Sequence, residues 1–430
     1  MIRSQPARTA LARRTSRIAA ALALSSSLVA CPLADERLAV PGLTCAAGDC
    51  SCEPGLASCD GDLANGCEVD LRTDPNHCGG CERMCANGRC VAGVCSCDQG
   101  FADCDPSPAN GCETDLQRDS GHCGSCERDC LGGDCASGRC QPIALTDALV
   151  APSDLVITPT HAFWISYGYG VQSLALDDSS GPQAVVGGES AYAALAFDGA
   201  RLYWATDPDG IWSVVPGHPE TLVEETTMAV ETSSSPAEHG HLAPAGAYLF
   251  WRGRYVDPQQ RGIWRMAQTG SGQPERIAAE AYDGPVAGAA HIYWGGSLQP
   301  SIWRVALGSN APELFAPGSV LSGVAFAGTL YWTESVAETD GGTDLAIRSK
   351  LESGGDVTTL AELPYWSLCL TADESGLYLA DTIGGAILRM PLAGGEAELL
   401  VSGQSNLPCV ASDERWIYWL ASNRLMRLAK

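Results

Sequence analysis

The stretch Leu330-Tyr331-Trp332-Thr333-Glu334 decides the fold. Its aromatic pair returns as Phe163-Trp164, Tyr203-Trp204, Phe250-Trp251, Tyr293-Trp294, Tyr378-Leu379 and Tyr418-Trp419. The second members of these pairs stand 40, 47, 43, 38, 47 and 40 residues apart. A period of roughly 40–45 residues with strand-type composition marks a β-propeller, because one blade is a small sheet that must stack on its neighbours to bury both faces. Each unit reads as four strands. In blade four these are an apolar stretch over 285–290, then His291-Ile292-Tyr293-Trp294, then 301–307, then Pro312-Glu313-Leu314-Phe315, with glycine and proline at the turns.

The last of the seven units reads as one strand short, since the sequence stops at Lys430, two residues after the third strand Arg424-Leu425-Met426-Arg427-Leu428. Outer-strand residues precede the next aromatic pair by a nearly fixed distance: Val185 to Trp204 is 19 residues, Leu314 to Trp332 is 18 and Leu399 to Trp419 is 20. Leu145 precedes Trp164 by 19. Ile143-Ala144-Leu145 is therefore expected to supply the missing strand, cover the exposed edge and lock the ring. Blade three breaks the spacing, with an insertion placed around Thr226–Glu238. The fold class expected is mainly β: a seven-bladed propeller over 141–430, closed by an N-terminal strand and preceded by disulfide-rich repeats with little secondary structure.

Residues 1–30 read as an export signal. Arg3, Arg8, Arg13, Arg14 and Arg17 precede an apolar run from Ile18 to Ala30, which is shorter than the ~20 residues a spanning helix needs. The run ends Leu28-Val29-Ala30-Cys31, which resembles the lipobox of bacterial lipoproteins. That resemblance implies cleavage before Cys31, acylation of its thiol and amino group, and, with Pro32 in place of aspartate, an outer-membrane or cell-surface location. Residues 31–44 then serve as a tether. Without the leader the chain holds 21 bases against 51 acids. Such a field opposes binding to nucleic acid or to an anionic lipid surface, so the membrane is touched only through the anchor.

Residues 45–140 carry 18 of the 21 cysteines. Cys52, Cys59, Cys67, Cys78, Cys81, Cys85, Cys90 and Cys95 recur 45 residues later as Cys97, Cys104, Cys112, Cys123, Cys126, Cys130, Cys135 and Cys140, and Cys45 and Cys50 look like the tail of a truncated earlier copy. Large apolar side chains are too few here for a conventional core, and export supplies an oxidising compartment, so disulfides are expected, with their connectivity open. Two metal readings compete with this. Cys78-x-x-Cys81-x-x-x-Cys85 beside His77 has zinc-like spacing. Asp60, Asp62 and Asn65 outline a calcium loop, although the second copy has Ser107 where the first has Asp62. No cofactor is assigned, and calcium and zinc stay open. The segment resembles the cysteine-rich tandem repeats of large secreted bacterial proteins, which implies a spacer or contact surface.

The aromatic phrase itself resembles the YWTD-type propellers of receptor ectodomains, with Tyr331-Trp332-Thr333-Glu334 the nearest match. Those receptors usually have six blades, so their ligands are not carried over. The aromatics are expected to pack between blades and not to form a binding box. Cys369 and Cys409 each lie ten residues before the second aromatic position of their blades. Equivalent positions in adjacent blades are neighbours, and a disulfide between them is expected to pin the last two blades.

Ligands of propellers usually sit at the mouth of the central channel, where the inner strands begin. Aligned positions place Asp154, His241 and Ser322 in one layer there and Tyr192, His239, Tyr282 and Trp366 in the next, with Asp283 between. The expected role is non-enzymatic binding of a protein, glycan or small molecule by a monomer. An alternative is a propeller enzyme of lyase or metal-dependent lactonase type using His239 and His241, whose alternate side chains share a strand face. A second is a structural component of the envelope or matrix. No Ser-His-Asp arrangement, phosphate-cradling glycine loop or HExxH is present.

Overall fold

A computed structural model of the chain describes residues 40–430, apart from 47–48, 106, 108–110, 178–180, 187–190, 208–209, 217–221, 227–241, 254–260, 297–299, 319–321, 338–342, 365–366, 382 and 409. The leader, Cys31, His239, His241, Trp366, Cys409 and nearly all of the expected blade-three insertion lie outside the described residues, as does the side chain of Tyr192. All described regular elements are β-strands, and none of the described residues forms a helix long and apolar enough to cross a membrane.

Seven four-stranded antiparallel sheets form the propeller. Blade one is typical: Pro152–Ile157 is innermost, followed by His161–Ser166, Gly170–Ala175 and Gln183–Val186. Blade seven takes Val410–Ser412, Trp416–Ala421 and Arg424–Ala429 from the end of the chain and its outer strand, Ile143–Thr146, from before blade one. Ile143 pairs with Arg427 and Ala144 with Met426, as the spacing of Leu145 predicts. The inner strands of successive blades touch one another all round the ring, the last against the first.

Neighbouring residues of a strand point to opposite faces, so a buried aromatic pair needs cover on both sides of its sheet. Stacked blades provide it. Phe163 packs with Trp204, Tyr203 with Trp251, Phe250 with Trp294, Tyr293 with Trp332, Tyr331 with Leu379, Tyr378 with Trp419, and Tyr418 with Trp164. Each first member thus meets the second member of the following blade, through to the ring's own start. Where the first member is tyrosine, its hydroxyl needs a partner. Asp198 and Asp413, each five residues upstream, accept from Tyr203 and Tyr418 at 2.8 Å. Polar clamps cross the same seams nearer the rim: Arg265 Nη1 donates to Ser309 O at 2.8 Å and Arg304 Nη1 to Glu352 O at 2.5 Å.

The cysteine framework is wholly disulfide-bonded among the described residues. Cys52–Cys67, Cys59–Cys81, Cys78–Cys90 and Cys85–Cys95 of the first copy recur as Cys97–Cys112, Cys104–Cys126, Cys123–Cys135 and Cys130–Cys140. Cys45 and Cys50 correspond to Cys90 and Cys95, whose partners the truncated copy lacks, and they bond to each other. The three cysteines with zinc-like spacing enter three different bridges. Contacts divide the chain into two compact units. One is Met1–Asp98 with Pro106–Cys112, and the other is Gln99–Asp105 with Glu113–Lys430. Within the second unit, Cys123, Cys130 and Cys140 are buried in one cluster with Tyr378, Val401, Ile417 and Trp419 of blades six and seven.

Candidate functional site

One end of the ring gathers the starts of the inner strands, the ends of the second strands and the hairpins that follow them. Here the β-bulge between Ser153 and Leu155 turns Asp154 to a φ of +47°. Its Oδ2 accepts the Leu195 N–H of the next blade's inner strand at 2.6 Å. Ser322 repeats the arrangement in blade five, its Oγ accepting the Leu370 N–H of blade six at 3.0 Å. Thr333, wholly buried in the defining phrase, holds Ser322 in place: its Oγ1 accepts the Ser322 N–H at 3.1 Å and donates to the Ser322 carbonyl at 3.3 Å. Cys369 occupies the same layer and is disulfide-bonded. Asp154, Ser322 and Cys369 all stand ten residues before the second motif position, and all are committed to neighbouring chain. The layer stitches blades together.

Tyr282 and Asp283 stand at the entrance of blade four. The Tyr282 N–H donates to Gly295 O at 2.9 Å, and its carbonyl accepts from Arg252 Nη1. Tyr282 is nonetheless 56% exposed. Asp283 is largely covered. Burial pushes its carboxyl up to about 6, with the Arg252 charge pulling the other way. A Cβ at residue 295 would lie 2.6 Å from Asp283 Oδ2, so the fit requires Gly295.

Three features of this face escaped the reading of the sequence. Tyr167 and Tyr169, in the hairpin after the second strand of blade one, are 76% and 58% exposed. Ile383, in the equivalent hairpin of blade six, is also 76% exposed. Asp381, just before Ile383, is fully buried, its Oδ1 accepting the Ile383 and Gly384 N–H groups at 3.1 and 2.9 Å, while Oδ2 has no hydrogen-bond partner among the described residues. The signal for the tyrosines was present in Tyr167-Gly168-Tyr169, an aromatic turn between two strands.

Oxygen ligands for a hard cation group elsewhere, at Asp103, Asp105 and Glu113 of the second cysteine copy, with one oxygen from each within 4.8 Å of the others. In the first copy Asp60 is held internally: Oδ1 accepts the Asp62 N–H at 2.8 Å and Oδ2 accepts Asn65 Nδ2 at 2.8 Å.

No known protein family matches the chain, and neither does any curated protein. Among solved structures, virginiamycin B lyase from Staphylococcus aureus aligns with 67% of this chain and 98% of its own at 10% identity, with a TM-score of 0.49. The WD40 β-propeller domain of Doa1 aligns with 66% of this chain and 96% of its own at 14% identity and a TM-score of 0.47. A nidogen/laminin complex aligns with 61% of this chain and 85% of its own at 16% identity and 0.37. Likenesses of this size concern the fold alone. The chain is a seven-bladed β-propeller preceded by a disulfide-bonded, cysteine-rich region.

Proposed function

We propose that this is an exported, lipid-anchored binding protein, and that the face where the inner strands begin takes a protein or glycan ligand without chemical turnover. The observation that carries the reading is the exposure of Tyr167, Tyr169, Tyr282 and Ile383 on that one face. Large side chains left in water cost free energy, and tyrosine is the residue that returns most when a partner covers it, through apolar area and a hydroxyl at little entropic cost. The polar groups deeper in the mouth, Asp154 and Ser322, hold blades together, which suits a rigid platform. The nine disulfides of the cysteine framework agree with an oxidising compartment, and the Leu28–Cys31 lipobox supplies the anchor.

The test is capture from envelope extract and on a glycan array by the full mature chain. A triple variant, Tyr167→Ser, Tyr169→Ser and Tyr282→Ser, runs beside it. The ligand held by the wild type should be lost by the variant. Capture that survives all three changes would overturn the assignment of this face. One observation favours the enzymatic alternative, the perturbed carboxyl of Asp283 at the mouth. Turnover on a lactone panel that disappears in Asp283→Asn would establish it.

A further inference from the structure

A second feature lies away from the channel mouth. Arg128 and Arg139 of the second cysteine copy, Arg389 from the third strand of blade six and Lys430 beyond the third strand of blade seven line one cleft, with Tyr378 and Glu398. Three arginines elsewhere in the ring are matched by acids: Arg265 pairs with Glu275 at 2.7 Å, Arg304 with Glu313 at 2.6 Å and Arg348 with Glu334 at 2.6 Å. The cleft arginines are not. Arg139 Nη1 donates to the Leu399 carbonyl at 3.3 Å, and Arg389 donates through Nε and Nη2 to the Ser375 carbonyl at 3.2 and 2.8 Å. The Arg128 guanidinium has no hydrogen bond or ion pair among the described residues. Lys430 alone has a carboxylate partner, Asp373.

Convergence of guanidinium groups is unfavourable unless something negative lies between them. In a chain with 51 acidic and 26 basic residues, matching carboxylates are abundant, yet among the described residues Glu398 is the single acidic side chain that lines this cleft. The negative field of the whole protein does not prevent a small ion from entering, because screening confines that field to about 8 Å at physiological salt, whereas the cleft cations act at contact. A guanidinium fork matches the oxygens of a tetrahedral anion, and several forks from different elements can share one.

We propose that the cleft binds a small oxyanion of the phosphate or sulfate type. Such an ion joins the second stapled copy, through Arg128 and Arg139, to blades six and seven, through Arg389 and Lys430. The anion is a free ion or the phosphate or sulfate group of a sugar.

Titration calorimetry on the full mature chain tests this with inorganic phosphate, inorganic sulfate and a sugar phosphate, each against chloride at equal ionic strength. Phosphate or sulfate should give saturable heat where chloride gives none. Arg128→Gln, which removes no bond within the protein, should weaken binding about tenfold, the usual loss for one charge-assisted hydrogen bond. Glu398→Gln removes the opposing charge and should tighten binding about threefold, a gain that a merely structural arginine cluster would not show. Tighter binding of the sugar phosphate than of phosphate assigns the anion to a glycan, and equal or weaker binding assigns it to the free ion. Heats indistinguishable from chloride, or an affinity unmoved by both substitutions, would overturn the proposal.

Discussion

Replacing Asp154 separates a structural stitch from a ligand contact. Its Oδ2 accepts the Leu195 N–H at 2.6 Å across the seam between blades one and two. Truncation to alanine removes a charge-assisted bond worth about 1.5–3 kcal/mol and leaves the amide without its acceptor. The backbone adds to the loss, because Asp154 has a φ of +47°, a region that aspartate and asparagine tolerate and alanine pays about 1 kcal/mol to enter. Asp154→Ala should therefore destabilise the ring by about 3 kcal/mol. At roughly 2.1 cal/mol/K per residue, a ring of about 290 residues gains about 0.6 kcal/mol/K on unfolding, so the midpoint should fall by about 5 °C. Asp154→Asn keeps a carbonyl acceptor and the left-handed tolerance, and should cost only about 1–2 °C on the same scale. Differential scanning calorimetry on the oxidised full chain reads both. A shift below about 1 °C for alanine, or equal shifts for the two variants, would refute the stitching role and return Asp154 to the ligand site.

Trp332→Ala, which empties a fully buried site shared with Tyr293, should cost about 3–5 kcal/mol in denaturant unfolding, and a cost under about 1.5 would mean the blades are not packed as described. The Asp283 carboxyl is raised from its ordinary 3.8 to about 6, so the folded chain holds a proton there that the unfolded chain has already lost. Stability from this group is accordingly full below about pH 4 and declines until about pH 6, by about 3 kcal/mol at 1.36 kcal/mol per unit. Asp283→Asn should flatten that part of the thermal midpoint profile, and identical slopes for wild type and variant would count against the burial argument. Under limited reduction followed by alkylation and mass spectrometry, the exposed Cys45–Cys50 bridge should open first and the buried Cys123–Cys135 and Cys130–Cys140 bridges last. Cys31→Ser should move the protein from the detergent to the aqueous phase in Triton X-114 partitioning, and a wild type already in the aqueous phase would remove the anchor.

Much of the architecture was legible because burial on both faces of every blade leaves an aromatic pair in place of the alternation of a one-sided sheet. The spacing that located Leu145 worked for a related reason. Each blade repeats the same path from outer strand to the next pair, so a strand taken from elsewhere in the chain must keep the interval. Side-chain direction at the mouth was not legible. Asp154 and Ser322 were correctly aligned in one layer, yet whether they face the channel or the next blade depends on a bulge and on the distance between sheets. The pairing of eight cysteines in each copy was likewise hidden, because spacing alone does not say which thiols meet. Cys123, Cys130 and Cys140 gave no hint that they pack into the core of blades six and seven, since their spacing is the same in the first copy, which belongs to the other unit.

The binding face depends on the ring being closed by the strand Ile143–Thr146, because closure creates the mouth and brings the tyrosine hairpins to one face. Amide hydrogen exchange read by mass spectrometry tests this directly. Peptides covering Ile143–Thr146 and Arg424–Ala429 should be protected together and to the same degree, and should lose protection together when Ala144→Pro removes one strand. Free-chain exchange at residues 143–146 while 424–429 stay protected would contradict the closure, and the binding face with it.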